Sequence, residues 1–323
     1  MLKAFHSNRS LILLLLPVIV VGFFLLNYNT GYHKSDTILK LGLWGGYSMP
    51  FNFGTSIFTM ILTVSGGILL NALYNRNGFT ERNNYLPALV YVVFLSFFHS
   101  YYFLDGLAIA QFFILLAVMQ LFKLKQKEDG RRAVFNAAIF FGISCTFFPV
   151  LFLGTPILFF LVWISRPFLF RESMLALTGL LIPLLYASLY SYFFGVKIGL
   201  DDLNSSSKEI FLIDMWIVIF STTLFFLFAL KLVLYKIKVS SIRLKKIFRL
   251  LLLLTILLFS LFLIDVLTYK KLQVLSLLFI PLSMILPYAF GEKKPSIAPS
   301  ILFYIVLTFA VSKFFISFND LAF

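Results

Sequence analysis

Residues 11–26 read LILLLLPVIVVGFFLL, and runs of this kind recur along the whole chain. Inside a bilayer a helix satisfies every backbone N–H and C=O within its own segment, and about 20 apolar residues carry it across. The runs are continuous and do not alternate every second residue, which excludes a β-barrel. Composition agrees: 61% of the 323 residues are hydrophobic, 19% aromatic and 12% charged, with a mean hydropathy of +0.98. A soluble domain carries about 25% charged residues. The chain is therefore read as an all-α polytopic membrane protein, a single integral membrane domain over residues 1–323. Lys3 and Arg9 precede the first run, but no small-x-small cleavage site follows in NYNTGYHKSD, so that run is expected to stay as an uncleaved helix.

Apolar runs and their breaks predict eleven helices, near 11–26, 51–73, 85–98, 106–122, 133–150, 156–166, 174–194, 212–234, 250–268, 272–290 and 297–318. With the N-terminus inside and the C-terminus outside, 20 of the 27 Lys and Arg residues fall on the inner side and seven on the outer. The net charge of +14 is thus a topology signal, and nucleic acid is not an expected partner. Residues 133–166 are few for two crossings and carry Pro149, Gly154 and Pro156. A single crossing there would even the split to 14 against 13, so a tight or partly re-entrant hairpin is expected instead.

Metal chemistry finds little support in three histidines, His6, His33 and His99, with no i, i+4 pair, and the lone Cys145 reads as packing. No metal is expected, and the cofactor is left open. Walker-type and GxGxxG loops are absent, and the acids Asp214 and Asp265 fall toward helix ends, which gives a transporter little support. The inner loops KLKQKEDGRR and YKIKVSSIRLKKIFR suit orientation and the anionic head groups of membrane lipids. In the first outer loop, KSDTILKLGLW is read as a short interfacial helix with Trp44 at the head groups, and Asp36 either caps it or serves as a base. The stretch HSYYFLDG at 99–106 has two readings. Asp105 can be the N-cap of the next helix, with Tyr101, Tyr102 and Phe103 in an interfacial aromatic belt, or the stretch can wall an active site.

Three segments carry a resemblance: ILLNALYNRNGFTERNNYLPALVYVVFLS, then YYFLDGLAIAQFFILLAVMQLFK, then RRAVFNAAIFFGISCTFFPVLFLGTPILFFLVWISR. Their order resembles the helical core of the GT-C glycosyltransferases, over about residues 1–195, with further C-terminal helices over 196–323. Most of the chain also resembles a family of polytopic inner-membrane proteins from Bacteroidota, which implies a bacterial cytoplasmic membrane location and brings no activity with it. The GT-C resemblance implies a polyprenyl-phosphate-sugar donor and a reaction on the outer face. On it, Asp105 matches the acid that opens a helix after an aromatic turn, and Asp36 would be the base. Lys34, Lys40 and Lys197 would hold the donor phosphate, with His99 and Tyr102 joining them in binding substrate. Such transferases carry a paired acidic motif in the first outer loop, and here that loop offers Asp36 alone. The expectation is therefore a non-catalytic GT-C-like subunit of an envelope complex, with envelope proteins as partners. The transferase is the alternative and a secondary transporter a further one.

Overall fold

The structure is a computed structural model, and it describes residues 2–6, 10–32, 38–48, 53–124, 130–165, 169–195, 212–269, 272, 274–291 and 297–315. After a single helical turn, Leu2–Phe5, and a 3-10 turn, Ser10–Leu14, the first helix α1 spans Leu15–Thr30. It is followed by α2 (Phe53–Arg76), α3 (Leu86–Leu95), α4 (Gly106–Phe122), α5 (Arg131–Phe147) and α6 (Thr155–Ser165). Then come α7 (Phe170–Phe194), α8 (Leu212–Val239), α9 (Ile242–Tyr269), α10 (Leu275–Ile285) and α11 (Ile297–Ser312). Each falls on one of the eleven apolar runs. Among the described residues, five stretches, Ser10–Thr30, Gly54–Arg76, Phe170–Phe194, Trp216–Val239 and Ile242–Leu267, are long and apolar enough to cross a membrane.

Two of the shorter helices, α3 and α10, sit where other helices enclose them. At ten residues α3 covers about 15 Å, half of a bilayer's hydrocarbon. All ten of its residues are buried, as is almost every residue of α10 and of the 3-10 turn Leu286–Phe290 that continues it. These two elements pack on each other at the centre, with Phe94 stacked 5.0 Å from Phe279. A helix apolar on all sides is stable when other helices surround it.

The stretch at 133–166 is a hairpin. Gly179 lies against the Phe135 carbonyl and Ala138, while Gly142 lies against Leu180 and Pro183, so α5 and α7 run parallel. Parallel neighbours need a return segment, supplied by the 3-10 turn Pro149–Gly154 and α6. The two glycines make the approach possible. A Cβ on Gly142 would stand 2.8 Å from the Leu180 carbonyl oxygen, and one on Gly179 2.8 Å from that of Phe135.

Two expectations are corrected. YKIKVSSIRLKKIFR is not a loop: α8 and α9 run on through it for 28 residues each and break at Ser240–Ser241. Its Lys, Arg, Leu and Ile residues tolerate a helix well, and about 42 Å of helix outruns the hydrocarbon, leaving the charges beyond it. KSDTILKLGLW is not a helix either, as far as it is described. Ile38–Lys40 (β1) pairs antiparallel with Gly46–Ser48 (β2) around a 3-10 turn, Gly42–Trp44. Gly42 and Gly45, at φ 64° and 96°, turn the chain where a helix would continue. Trp44 does not sit free at the head groups. Its Nε1–H donates to Thr146 Oγ1 at 3.0 Å, and its ring packs on Phe147 and Tyr190, which pins the hairpin over the ends of α5 and α7.

The bundle has two unlike ends. At one, Tyr288 donates its hydroxyl to the Phe79 carbonyl, the Tyr85 N–H donates to Phe5 at 3.0 Å, and His6 Nε2 meets the Gly291 carbonyl at 3.0 Å. This end carries Arg76, Arg82, Arg131, Lys238, Arg243 and Arg249, and is called here the basic end. The other end gathers the break between α3 and α4, the hairpin, and the end of α11.

Candidate functional site

The chain cannot continue from α3 into α4 as one helix. Ser96 keeps helical angles and bonds back to Val92 at 3.1 Å, but Phe98 is extended, and His99–Tyr101 forms a 3-10 turn. Asp105 then starts α4: with extended backbone angles, its carboxylate accepts from the Ala108 N–H at 2.7 Å. That is the N-cap read from the sequence. It satisfies one of the orphan donors of the first turn and meets the positive end of the helix dipole.

The other orphan groups are the carbonyls at the end of α3. The Ser96 carbonyl accepts from the Tyr102 hydroxyl and from the Lys313 ammonium, each at 2.6 Å. Lys313 follows α11 and is fully buried. Its Nζ lies 4.7 Å from the Phe97 ring, 5.0 Å from Phe314, and 5.6 Å from each of Tyr32 and Tyr102. Taking an ammonium out of water costs several kcal/mol. Here a helix C-terminus, a charge-assisted hydrogen bond and four ring faces offset that cost. The wall extends outward, since Tyr101 stacks on Phe24 at 5.6 Å and meets Tyr102 edge-on at 4.8 Å.

Of the residues singled out in the sequence, the structure brings three into this turn. Asp105 is the cap. Tyr102 is buried, with its hydroxyl on Ser96 and its ring in the lysine cage. His99 is half-buried, its ring 4.9 Å from Phe103 and its carbonyl accepting from the Tyr102 and Phe103 N–H groups. Lys40 belongs to β1, its backbone opposite Gly46. Asp36, Lys34 and Lys197 lie outside the described residues. Among the described residues no group of three or more His, Cys, Asp or Glu could hold a metal ion. Tyr101 is buried, and burial holds its phenol well above the usual tyrosine range, hence neutral.

In the charge split Lys313 is one of the seven outer Lys and Arg residues. The signal was there: a lone lysine in VLTFAVSKFFISF, an apolar run, is an intramembrane charge that has to be answered by something. No protein-family model matches the chain, and neither the curated proteins nor the solved structures contain a match.

Proposed function

We propose that this protein is a non-catalytic membrane subunit of a bacterial envelope complex, a GT-C-like helical shell in the cytoplasmic membrane with its basic end facing the cytoplasm. One observation carries the reading. The acid that the GT-C resemblance assigns to chemistry caps α4, and the tyrosine assigned to substrate holds the end of α3, so both side chains are committed to the fold. The basic end supports the orientation through the positive-inside rule, with the N-terminus inside and the C-terminus outside.

The transferase is the second reading, favoured by the hairpin that packs the first loop over the ends of α5 and α7, at the same end as Asp105. Asp105→Asn separates the two, because Asn caps a helix as well as Asp but carries no charge. In a strain lacking the gene, the subunit reading expects Asp36→Asn and Asp105→Asn to restore the glycolipid profile and the yield of the purified complex. A folded Asp105→Asn protein that leaves the glycolipid defect in place would sink the subunit reading and favour the transferase.

A further inference from the structure

α8 and α9 meet at the basic end, joined across Ser240–Ser241. From Lys231 to Arg249 the sequence carries seven Lys and Arg residues and no acid, the nearest acids being Asp214 and Asp265. Orientation needs an excess of positive charge inside, but it does not need those charges at any set place on a helix. Here they have one. Trp216, Phe220 and Leu227 form an exposed stripe on α8, which runs on into Lys231, Leu234 and Lys238, all of them exposed. On α9 the exposed stripe of Leu267, Leu263 and Ile256 runs on into Arg249 and Ile242. At 3.6 residues per turn, these steps of three, four and seven residues return to nearly the same side. The opposite faces belong to the bundle, where Phe225 packs on Phe290 and Phe248 on Tyr288, each at 5.7 Å. Trp216 to Lys231 is about 22 Å of helix and Arg249 to Leu267 about 27 Å, close to the roughly 30 Å of a bilayer's hydrocarbon. The cations therefore stand at head-group depth, on the sides of α8 and α9 that face lipid.

We propose that the basic ends of α8 and α9 bind the phosphates of anionic phospholipids in the leaflet at that end, with the acyl chains of the same lipids along the apolar stripes. Charge complementarity and the continuity of the stripes select this occupant. A phosphodiester offers oxygens that accept from Lys and Arg, and these long side chains reach from a helix flank into the wet head-group layer. A lipid whose tails lie against Leu227 or Ile256 has its head group at the level of Lys231 or Arg249. An acidic protein docking from water would first meet the tip, where Val239 and Ile242 are apolar and exposed. In the head-group layer lipid covers those two side chains as well. The surface acts through the number of cations it gathers, so no single lysine decides the binding. The proposal rests on α8 and α9 crossing the membrane and not on the subunit reading.

The test uses the full chain reconstituted in phosphatidylcholine, with spin-labelled phosphatidylglycerol or spin-labelled phosphatidylcholine as probe. Electron spin resonance reads the share of probe immobilised at the protein surface. The wild type is expected to hold phosphatidylglycerol at least about three-fold more strongly than phosphatidylcholine. Lys231→Gln, Lys238→Gln and Arg249→Gln together are expected to remove most of that preference. The same loss of charge through Arg76→Gln, Arg82→Gln and Arg132→Gln, at three exposed positions on other parts of the basic end, is expected to leave most of it. No preference in the wild type overturns the proposal and leaves the cations to an acidic protein. Equal losses in the two triple variants overturn it too, because the preference then follows net charge and not this surface. The wild-type measurement stands even where a variant folds poorly, and the charge-keeping set Lys231→Arg, Lys238→Arg and Arg249→Lys is expected to retain the preference.

Discussion

Lys313 and Lys238 occupy comparable places, each at the C-terminal end of an apolar helix, and the fold treats them in opposite ways. Lys238 stands exposed in the last turn of α8, where water solvates its charge. Lys313, one residue past α11, is enclosed by four rings and held on the end of another helix. The difference teaches where positive charge acts by number and where it acts by position. At the basic end the cations form a dispersed set in which any one is replaceable. At the other end a single cation closes a gap that the interrupted helix leaves open.

Removing the cation is the strongest way to break this contrast. Lys313→Ala is expected to lose about 2–4 kcal/mol of stability, combining a charge-assisted hydrogen bond with a desolvated cation–π cage, less the relief of burying no charge. Thermal unfolding in detergent checks it. Lys313→Met should lose less, because the stem volume is kept. A wild-type midpoint for Lys313→Ala would remove the distinction between the ends.

The glycines give the next test. Gly42 and Gly78 both sit in the left-handed region, at φ 64° and 69°. A Cβ at Gly42 would also come within 2.4 Å of the Phe147 carbonyl oxygen, whereas nothing lies within 4 Å of one at Gly78. Gly42→Ala is therefore expected to cost about 2–3 kcal/mol and to free the hairpin, read as faster proteolysis after Lys40. Gly78→Ala should cost about 1 kcal/mol, the backbone strain alone. Equal effects would mean that the hairpin is not seated on α5.

Asp105→Ala should cost about 1 kcal/mol through the lost cap, and Asp105→Asn close to nothing. The smallest effect belongs to Lys238→Ala, within about 0.5 kcal/mol.

How much of this was legible beforehand depends on the distance over which each feature acts. Helix positions follow from apolar run lengths because the bilayer imposes them locally, and α1 to α11 lie on the expected runs. Asp105 was readable as a cap since the signal, Asp-Gly before an apolar run, is contained in a few residues. The hairpin was misread because KSDTILKLGLW has helical composition, while Gly42 is fitted to the Phe147 carbonyl more than a hundred positions away. High charge density in YKIKVSSIRLKKIFR reads as a loop, yet Lys and Arg are good helix formers, and α8 and α9 extend through it. What answers the Lys313 charge was hidden for the deepest reason. Its partners, Tyr32, Phe97, Tyr102 and Ser96, come from α1's end and the α3–α4 break, and no local pattern joins them to α11.

A structure of the protein in a lipid nanodisc, read at the break between α3 and α4, tests the central claim most directly. The account predicts Lys313 Nζ on the Ser96 carbonyl, the Asp105 carboxylate on the Ala108 N–H, and the carboxylates of Asp36 and Asp105 in separate places. Both carboxylates facing one groove open to the bilayer, with Asp105 released from its cap and an isoprenoid-like tail between them, would contradict it.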